Sequence, residues 1–144
     1  MRIVLYGFDT DKKRNVHYPG NHIKNCVAYS GTHDNNTIQG WYESTSEDQK
    51  ARLFECIGPK VPTGQLHWKL INVTMKSAAN LAIIAMQDIL GLGAEARMNL
   101  PGSFDKGNWV WRLRKGQVTK AIAEKLNKTT KSNGRARLQR FSCQ

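Results

Sequence analysis

Three continuous apolar runs interrupt an otherwise polar chain: Ile3–Phe8 (IVLYGF), Cys26–Ser30 (CVAYS) and Leu81–Met86 (LAIIAM). Unbroken rather than alternating hydrophobicity over such short lengths is the pattern of strands buried on both faces, as in a parallel sheet. Each run stops in polar residues: Asp9, Thr10 and Asp11 after the first, Thr32–Asn36 (THDNN) after the second, Gln87 and Asp88 after the third. Polar groups at the C-terminal ends of three parallel strands predict one shared functional face. Three strands cannot close a barrel, so both outer edges are expected to be unpaired and the isolated chain to fold poorly.

The segments between the runs also carry signals. Thr10–Asn25 lacks a helical apolar stripe and is rich in Asp, Lys, Asn, Pro and Gly, so it reads as a long loop. Ser46–Ile57 opens on Ser46, Glu47 and Asp48 and is stopped by Gly58-Pro59, which predicts a capped helix. A second helix is predicted over Gln65–Ala79, with Leu66, Leu70, Val73 and Ser77 near helical spacing. Gln87–Gly93 reads as a short turn or helix. Gln117–Asn127 reads as an amphipathic helix with Val118, Ile122 and Leu126 four apart.

Charge introduces a competing picture. The 144 residues carry a formal net charge of +11. From Phe104 to Gln144 there are eleven Lys or Arg against Asp105 and Glu124, which is nine of those eleven net charges. A basic tail over about 128–144 would suit a polyanion, and Lys131–Arg140 (KSNGRARLQR) taken alone resembles an RNA-binding arm. Its neighbourhood offers only Phe141 for base stacking, so a solvated helix face and tail is the preferred reading and nucleic acid is not an expected partner. Cys26, Cys56 and Cys143 are odd in number and widely spaced, which argues against a disulfide framework or a zinc site; Cys26 and Cys56 read as small buried apolar residues. No signal peptide or membrane-length apolar run is evident, and a cytoplasmic setting without a membrane partner is expected.

The densest chemistry lies at the second strand. Ser30, Gly31, Thr32, His33, Asp34, Asn35 and Asn36 follow it directly, with Trp41 and Tyr42 close behind at a helix start. A carboxylate there can meet developing positive charge, a histidine can bond sugar hydroxyls, and aromatic rings can pack on pyranose faces. The same residues could equally be an Asx-rich turn capping the next helix.

Two long blocks carry a resemblance. Ser30–Glu43 (SGTHDNNTIQGWYE) and Leu81–Leu113 (LAIIAMQDILGLGAEARMNLPGSFDKGNWVWRL) resemble, in order and spacing, the glycoside hydrolase family 77 enzymes, the 4-alpha-glucanotransferases or amylomaltases. The opening MRIVLYGFD looks like the family's preceding strand, and the likeness runs from Met1 to about Arg135. The resemblance implies an α/β fold, namely the last three strands and their helices of a (β/α)8 barrel. Residues 1–144 would then be the C-terminal part of the catalytic barrel, with the missing N-terminal part of the same enzyme as partner. It further implies α-1,4-glucans and maltooligosaccharides as substrates, a retaining mechanism, no cofactor and no metal. Of three family carboxylates only the third, which stabilises the transition state, falls in this chain, at Asp34. The nucleophile and the acid/base are expected upstream of Met1, leaving the chain inactive alone.

By the same resemblance His33 contacts sugar hydroxyls and Asn99 reaches an acceptor-side glucose, unless Asn99 merely forms the turn before Pro101-Gly102. Asp88 is expected to be structural, Glu95 to pair with Arg97, and Trp109 and Trp111 to pack the barrel's underside. The chain departs from the family in Pro19-Gly20-Asn21-His22, where PHNY is usual, and in Asn36, where an acidic residue is common. If the first loop borders the sugar groove, chain-length preference is affected. The alternative from another class is a non-catalytic basic binding module.

Overall fold

The computed structural model describes residues 1–59, 61–104 and 107–136. Strands β1 (Arg2–Ile3), β2 (Val27–Tyr29) and β3 (Leu81–Ile83) form a parallel sheet in the order β1-β2-β3. Ile3 pairs with Tyr29, and Tyr29 with Ile83, which brings the C-terminal ends of all three strands level. Helices α1 (Ile38–Ser44), α2 (Glu47–Ile57), α3 (Leu66–Lys76), α4 (Met86–Ile89) and α5 (Lys120–Ser132) complete the α/β architecture. Helix α3 is the hub and packs against each of the other four. Leu5, Phe8, Ile38, Leu53, Leu70 and Ile71, each 1% exposed or less, are the centre of the core.

The strands are shorter than the apolar runs predict. Of the first run only Ile3 pairs, together with Arg2 before it; Val4–Phe8 turns into a 3-10 helix instead of continuing as strand to Phe8. Adjacent residues Val4 and Leu5 are both fully buried, and a run buried on every side carries no periodicity to separate strand from helix. This turn deflects Asp9–Asp11 from the shared face that the sequence suggests. Gln49 Nε2 donates to Asp9 Oδ1, and Thr10 and Asp11 line a separate cleft with Lys12, Arg52 and Glu55. The third run likewise divides after Ile83, its last residue Met86 opening α4.

Local signals set the helix ends. Helix α2 has a full capping box: Ser46 Oγ accepts from the Gln49 N–H while Gln49 Oε1 accepts from the Ser46 N–H. Gly58, at φ 88°, ends it with its N–H donating to Phe54 O. Thr119 Oγ1 caps α5 at the Ile122 N–H, so the helix starts at Lys120 rather than Gln117 and runs past Asn127 to Ser132. Ile122 and Leu126 pack on the core while Val118, outside the helix, is exposed. The basic stretch from 128 is therefore helical at first. Arg135 beyond it donates to the carbonyls of Met75, Ser77 and Ala79 at 2.6–2.8 Å, satisfying the end of α3. Arg137–Gln144, including Phe141 and Cys143, lie outside the described residues. Cys26 and Cys56 are half-buried, and burial raises the Cys56 thiol pKa.

The 10–25 loop is tied down by histidines. His17 Nδ1 accepts from the Ile3 N–H, and buried His22 accepts from Ser77 Oγ at Nδ1 and donates from Nε2 to His17 O. Pro19–His22 therefore braces the sheet and does not line the main cavity. Among the described residues no helix is long and apolar enough to cross a membrane, and no group of three or more His, Cys, Asp or Glu could hold a metal.

One buried carboxylate ties these elements together. Asp88, 2% exposed, accepts from Ser30 Oγ at 2.6 Å and from the Ile38 N–H at 2.8 Å, while Ser30 Oγ accepts from the Ala85 N–H. The end of β2, the start of α1 and the entry to α4 thus meet at one side chain. Helix α1 can come this close because of Gly40, where a Cβ would stand 2.8 Å from the Ala94 backbone.

Two outcomes are expected. Asp88→Ala strands two buried donors and should cost about 3 kcal/mol or more, with Asp88→Asn intermediate because an amide can still accept from one of them. Urea melts of the three chains check this, and an Asp88→Ala chain within about 0.5 kcal/mol of the parent would sink it. The second concerns pH. Burial lowers the pKa values of His17, His22 and His67 below 6.5, so the unfolded chain binds more protons as pH falls through that value. Their contribution is present above it and lost below, whereas Asp88, raised by burial, acts in the opposite sense. Unfolding free energy should drop between about pH 7.5 and about pH 5.5, and less steeply in His22→Gln; equal slopes would contradict this.

Candidate functional site

The segment between β2 and α1 is a self-bonded turn. Asn35 Oδ1 accepts from both the Thr32 N–H and the Thr32 hydroxyl, at 2.9 and 2.8 Å, and the Asn35 N–H donates to Thr32 O. Thr37 Oγ1 then accepts from the Gly40 N–H and caps α1. The Asx-turn reading is therefore met by the backbone. Asn35 and Thr37 shape the backbone, and His33 and Asp34, with side chains 56% and 45% exposed, are left at the surface of the loop.

Two further stretches, 97–104 and 107–109, lie near this turn. Asn99 Nδ2 donates to Asp34 Oδ1 at 2.6 Å, and the Asn99 N–H donates to His33 O at 3.0 Å. Arg97 donates from NH2 to Asp34 O and from Nε to Asn99 O, both at 2.8 Å. The structure thus brings His33, Asp34 and Asn99 together, although 65 residues separate Asp34 from Asn99. Asn99 precedes the Pro101-Gly102 turn, but its side chain is committed to Asp34.

His33 Nε2 stands 3.4 Å from the same Asp34 oxygen. Asp34 Oδ2 accepts no hydrogen bond from the described residues. A cavity of about 440 Å³ adjoins the pair and is lined also by Tyr29, Gln87, Arg97 and Met98. Such an arrangement offers a half-exposed carboxylate, oriented by an amide and flanked by an imidazole, to a polar guest with a cationic centre.

Asp88 borders this cavity but is buried and engaged by Ser30 and Ile38, which gives it a structural place. Burial raises its pKa, and the two hydrogen bonds partly offset that. Glu95 does not pair with Arg97: its Oε1 accepts from the Gly93 N–H, and the Arg97 guanidinium turns to backbone carbonyls of the site. Trp41, half-buried, packs against the core on Phe8, ring centroids 5.8 Å apart. Trp109, expected on the underside, instead lies against His33 with ring centroids 5.1 Å apart. The strand-and-helix pattern does not extend to this irregular segment, so no periodicity assigns the residue a side. Trp111 lines a different hollow with Val110 and Arg112. Arg97 and Trp109 are the site residues that sequence reasoning missed. Proximity to Glu95 suggested another partner for the first, and the second depends on a backbone φ of 63° that sequence does not announce.

Comparison with known proteins identifies the family. The family profile described as 4-alpha-glucanotransferase, glycoside hydrolase family 77, matches residues 1–119. The 4-alpha-glucanotransferase of Synechocystis sp. is 40% identical over 136 residues, covering 94% of this chain and 26% of the relative. That of Aquifex aeolicus is 43% identical over 119 residues, covering 83% and 24%. The solved amylomaltase from Streptococcus agalactiae, in complex with acarbose, superposes with a TM-score of 0.87 at 32% identity, covering 94% of this chain and 27% of that one. The chain spans about a quarter of the length of these relatives. With a family match over most of its length and the His33–Asp34–Asn99 cluster at its strand ends, the chain belongs to glycoside hydrolase family 77, the 4-alpha-glucanotransferases.

Proposed function

We propose that this chain supplies the transition-state-stabilising side of a retaining 4-alpha-glucanotransferase, which moves α-1,4-glucan segments onto glucose or maltooligosaccharide acceptors. The observation that carries the reading is the 2.6 Å bond from Asn99 Nδ2 to Asp34 Oδ1 at the mouth of the cavity. Cleaving a glycosidic bond makes the anomeric carbon oxocarbenium-like, and a carboxylate held in one orientation stabilises that charge without reorganising. His33, half-exposed beside it, can exchange hydrogen bonds with sugar hydroxyls. In this reading the three strands are the last three of a (β/α)8 barrel. The nucleophile and the acid/base belong to the three-quarters of the relatives that this chain does not span. The acarbose bound to the Streptococcus agalactiae amylomaltase supports an α-glucan as guest.

Two measurements test this. The purified 144-residue chain incubated with maltotriose should produce neither glucose nor longer oligosaccharides, because one carboxylate cannot form and resolve a glycosyl-enzyme. Turnover on the order of one per second would place the whole chemistry within it. Next, a chimera in which this chain replaces the aligned 26% of the Synechocystis relative should disproportionate maltotriose. In that chimera Asp34→Asn should lower kcat by about 10²-fold or more, roughly 3 kcal/mol of transition-state stabilisation, with little change in sugar binding. His33→Ala should be milder and should appear partly in KM. Near-normal kcat in Asp34→Asn, with a folded but inactive Asp88→Asn, would move the catalytic carboxylate to Asp88.

A further inference from the structure

Resting on that functional reading, we propose that Trp109 is a positioning residue for the reaction: its indole holds the His33 imidazole in register with Asp34. Trp109 is an aromatic residue at φ 63°, in the left-handed region that bulky side chains rarely enter. Such a conformation persists only where the surroundings over-determine it, and here they do. Its N–H donates to Met98 O at 2.7 Å, and its carbonyl accepts from Arg112 NH1 at 2.8 Å. The preceding Asn108 pins the same segment, accepting from the Leu100 N–H and donating to Ser103 O.

What this bent backbone presents is the ring. Trp109 meets His33 at 5.1 Å between centroids and 37° between planes, a tilted contact at the centroid separation of aromatic pairs. His33 needs such support. Its side chain is 56% exposed on a surface turn, and its Nε2 lies 3.4 Å from Asp34 Oδ1, a separation that a free rotamer would not maintain. Asp34 itself is oriented by Asn99, from the same segment that carries Trp109. One strap therefore sets both members of the pair, the carboxylate through the Asn99 amide and the imidazole through an aromatic face. Catalytic groups displaced by an ångström lose rate steeply, so the ring's effect should pass through His33.

A double-mutant cycle in the chimera defined above isolates that route. Trp109→Ala should lower kcat/KM for maltotriose roughly tenfold when His33 is present, but less than about twofold in a His33→Ala background. Trp109→Phe should retain most of the rate. Equal losses in both backgrounds would overturn the assignment, because Trp109 would then act on the sugar or the fold directly. No loss from Trp109→Ala would overturn it as well. A chimera that folds yet is inactive with both residues intact defeats the functional reading. An active chimera with additive losses defeats only the role of Trp109. A second readout uses the 144-residue chain by NMR: Trp109→Ala should shift the ring-proton resonances of His33 and leave those of His17 and His67 in place. Unmoved His33 resonances would remove the contact on which the proposal stands.

Discussion

The carboxylate of Asp88 is the contact on which the site's geometry depends. It accepts from Ser30 Oγ at the end of β2 and from the Ile38 N–H at the start of α1, the two ends of the turn that carries His33 and Asp34. Both donors reach one 2%-exposed side chain, so the span from residue 30 to residue 38 is closed at its base like a loop on a clasp. Burying an unpaired carboxylate is costly, and hydrogen bonds to each of its oxygens are what make this one tolerable. The same bonds make it a poor catalyst. Asp34, only half-exposed but with one oxygen left unbonded by the described residues, is the chemically available acid of the two.

Arg97 and Asn99 bear on that availability. Arg97 is near enough to have paired with the Asp34 carboxylate, yet its donors go to the backbone carbonyls of Asp34 and Asn99. A guanidinium on the carboxylate would have neutralised the charge that the proposed reaction uses. Donating to the carbonyls instead fixes the turn and leaves a neutral amide, from Asn99, to orient the acid. Stability and chemistry are thus divided between backbone and side chain of the same residue.

Some of the basic residues serve the fold itself. Arg135, within the segment that reads as a solvated tail, satisfies three carbonyls around the end of α3. Lys125 lies over the Trp68 ring at 4.5 Å, joining α5 to α3. Two of the cations behind the formal charge of +11 are thus engaged with the fold's own carbonyls and a ring.

By itself, the sequence determined the parallel α/β class, the approximate places of β2, α2 and α3, and the cluster after β2. These are local properties: an unbroken apolar run, a Ser46 cap with acidic residues behind it, a turn dense in Asx and Thr. Motif resemblance added the family and the roles expected of His33, Asp34 and Asn99. What the tertiary structure alone decided depends on contacts between distant segments. The first apolar run turns after Ile3, and its neighbours Val4 and Leu5 are both buried, a pattern that hydrophobicity cannot separate from a strand. His22 became a brace of the loop through Ser77, 55 residues away. Arg97 left its sequence neighbour Glu95 for carbonyls across the site, and Trp109 reached His33 through a left-handed backbone. Hydrogen-bond partners and ring contacts are chosen by proximity in space, and between residues 55 or more apart in sequence the chain's local pattern carries no record of that choice.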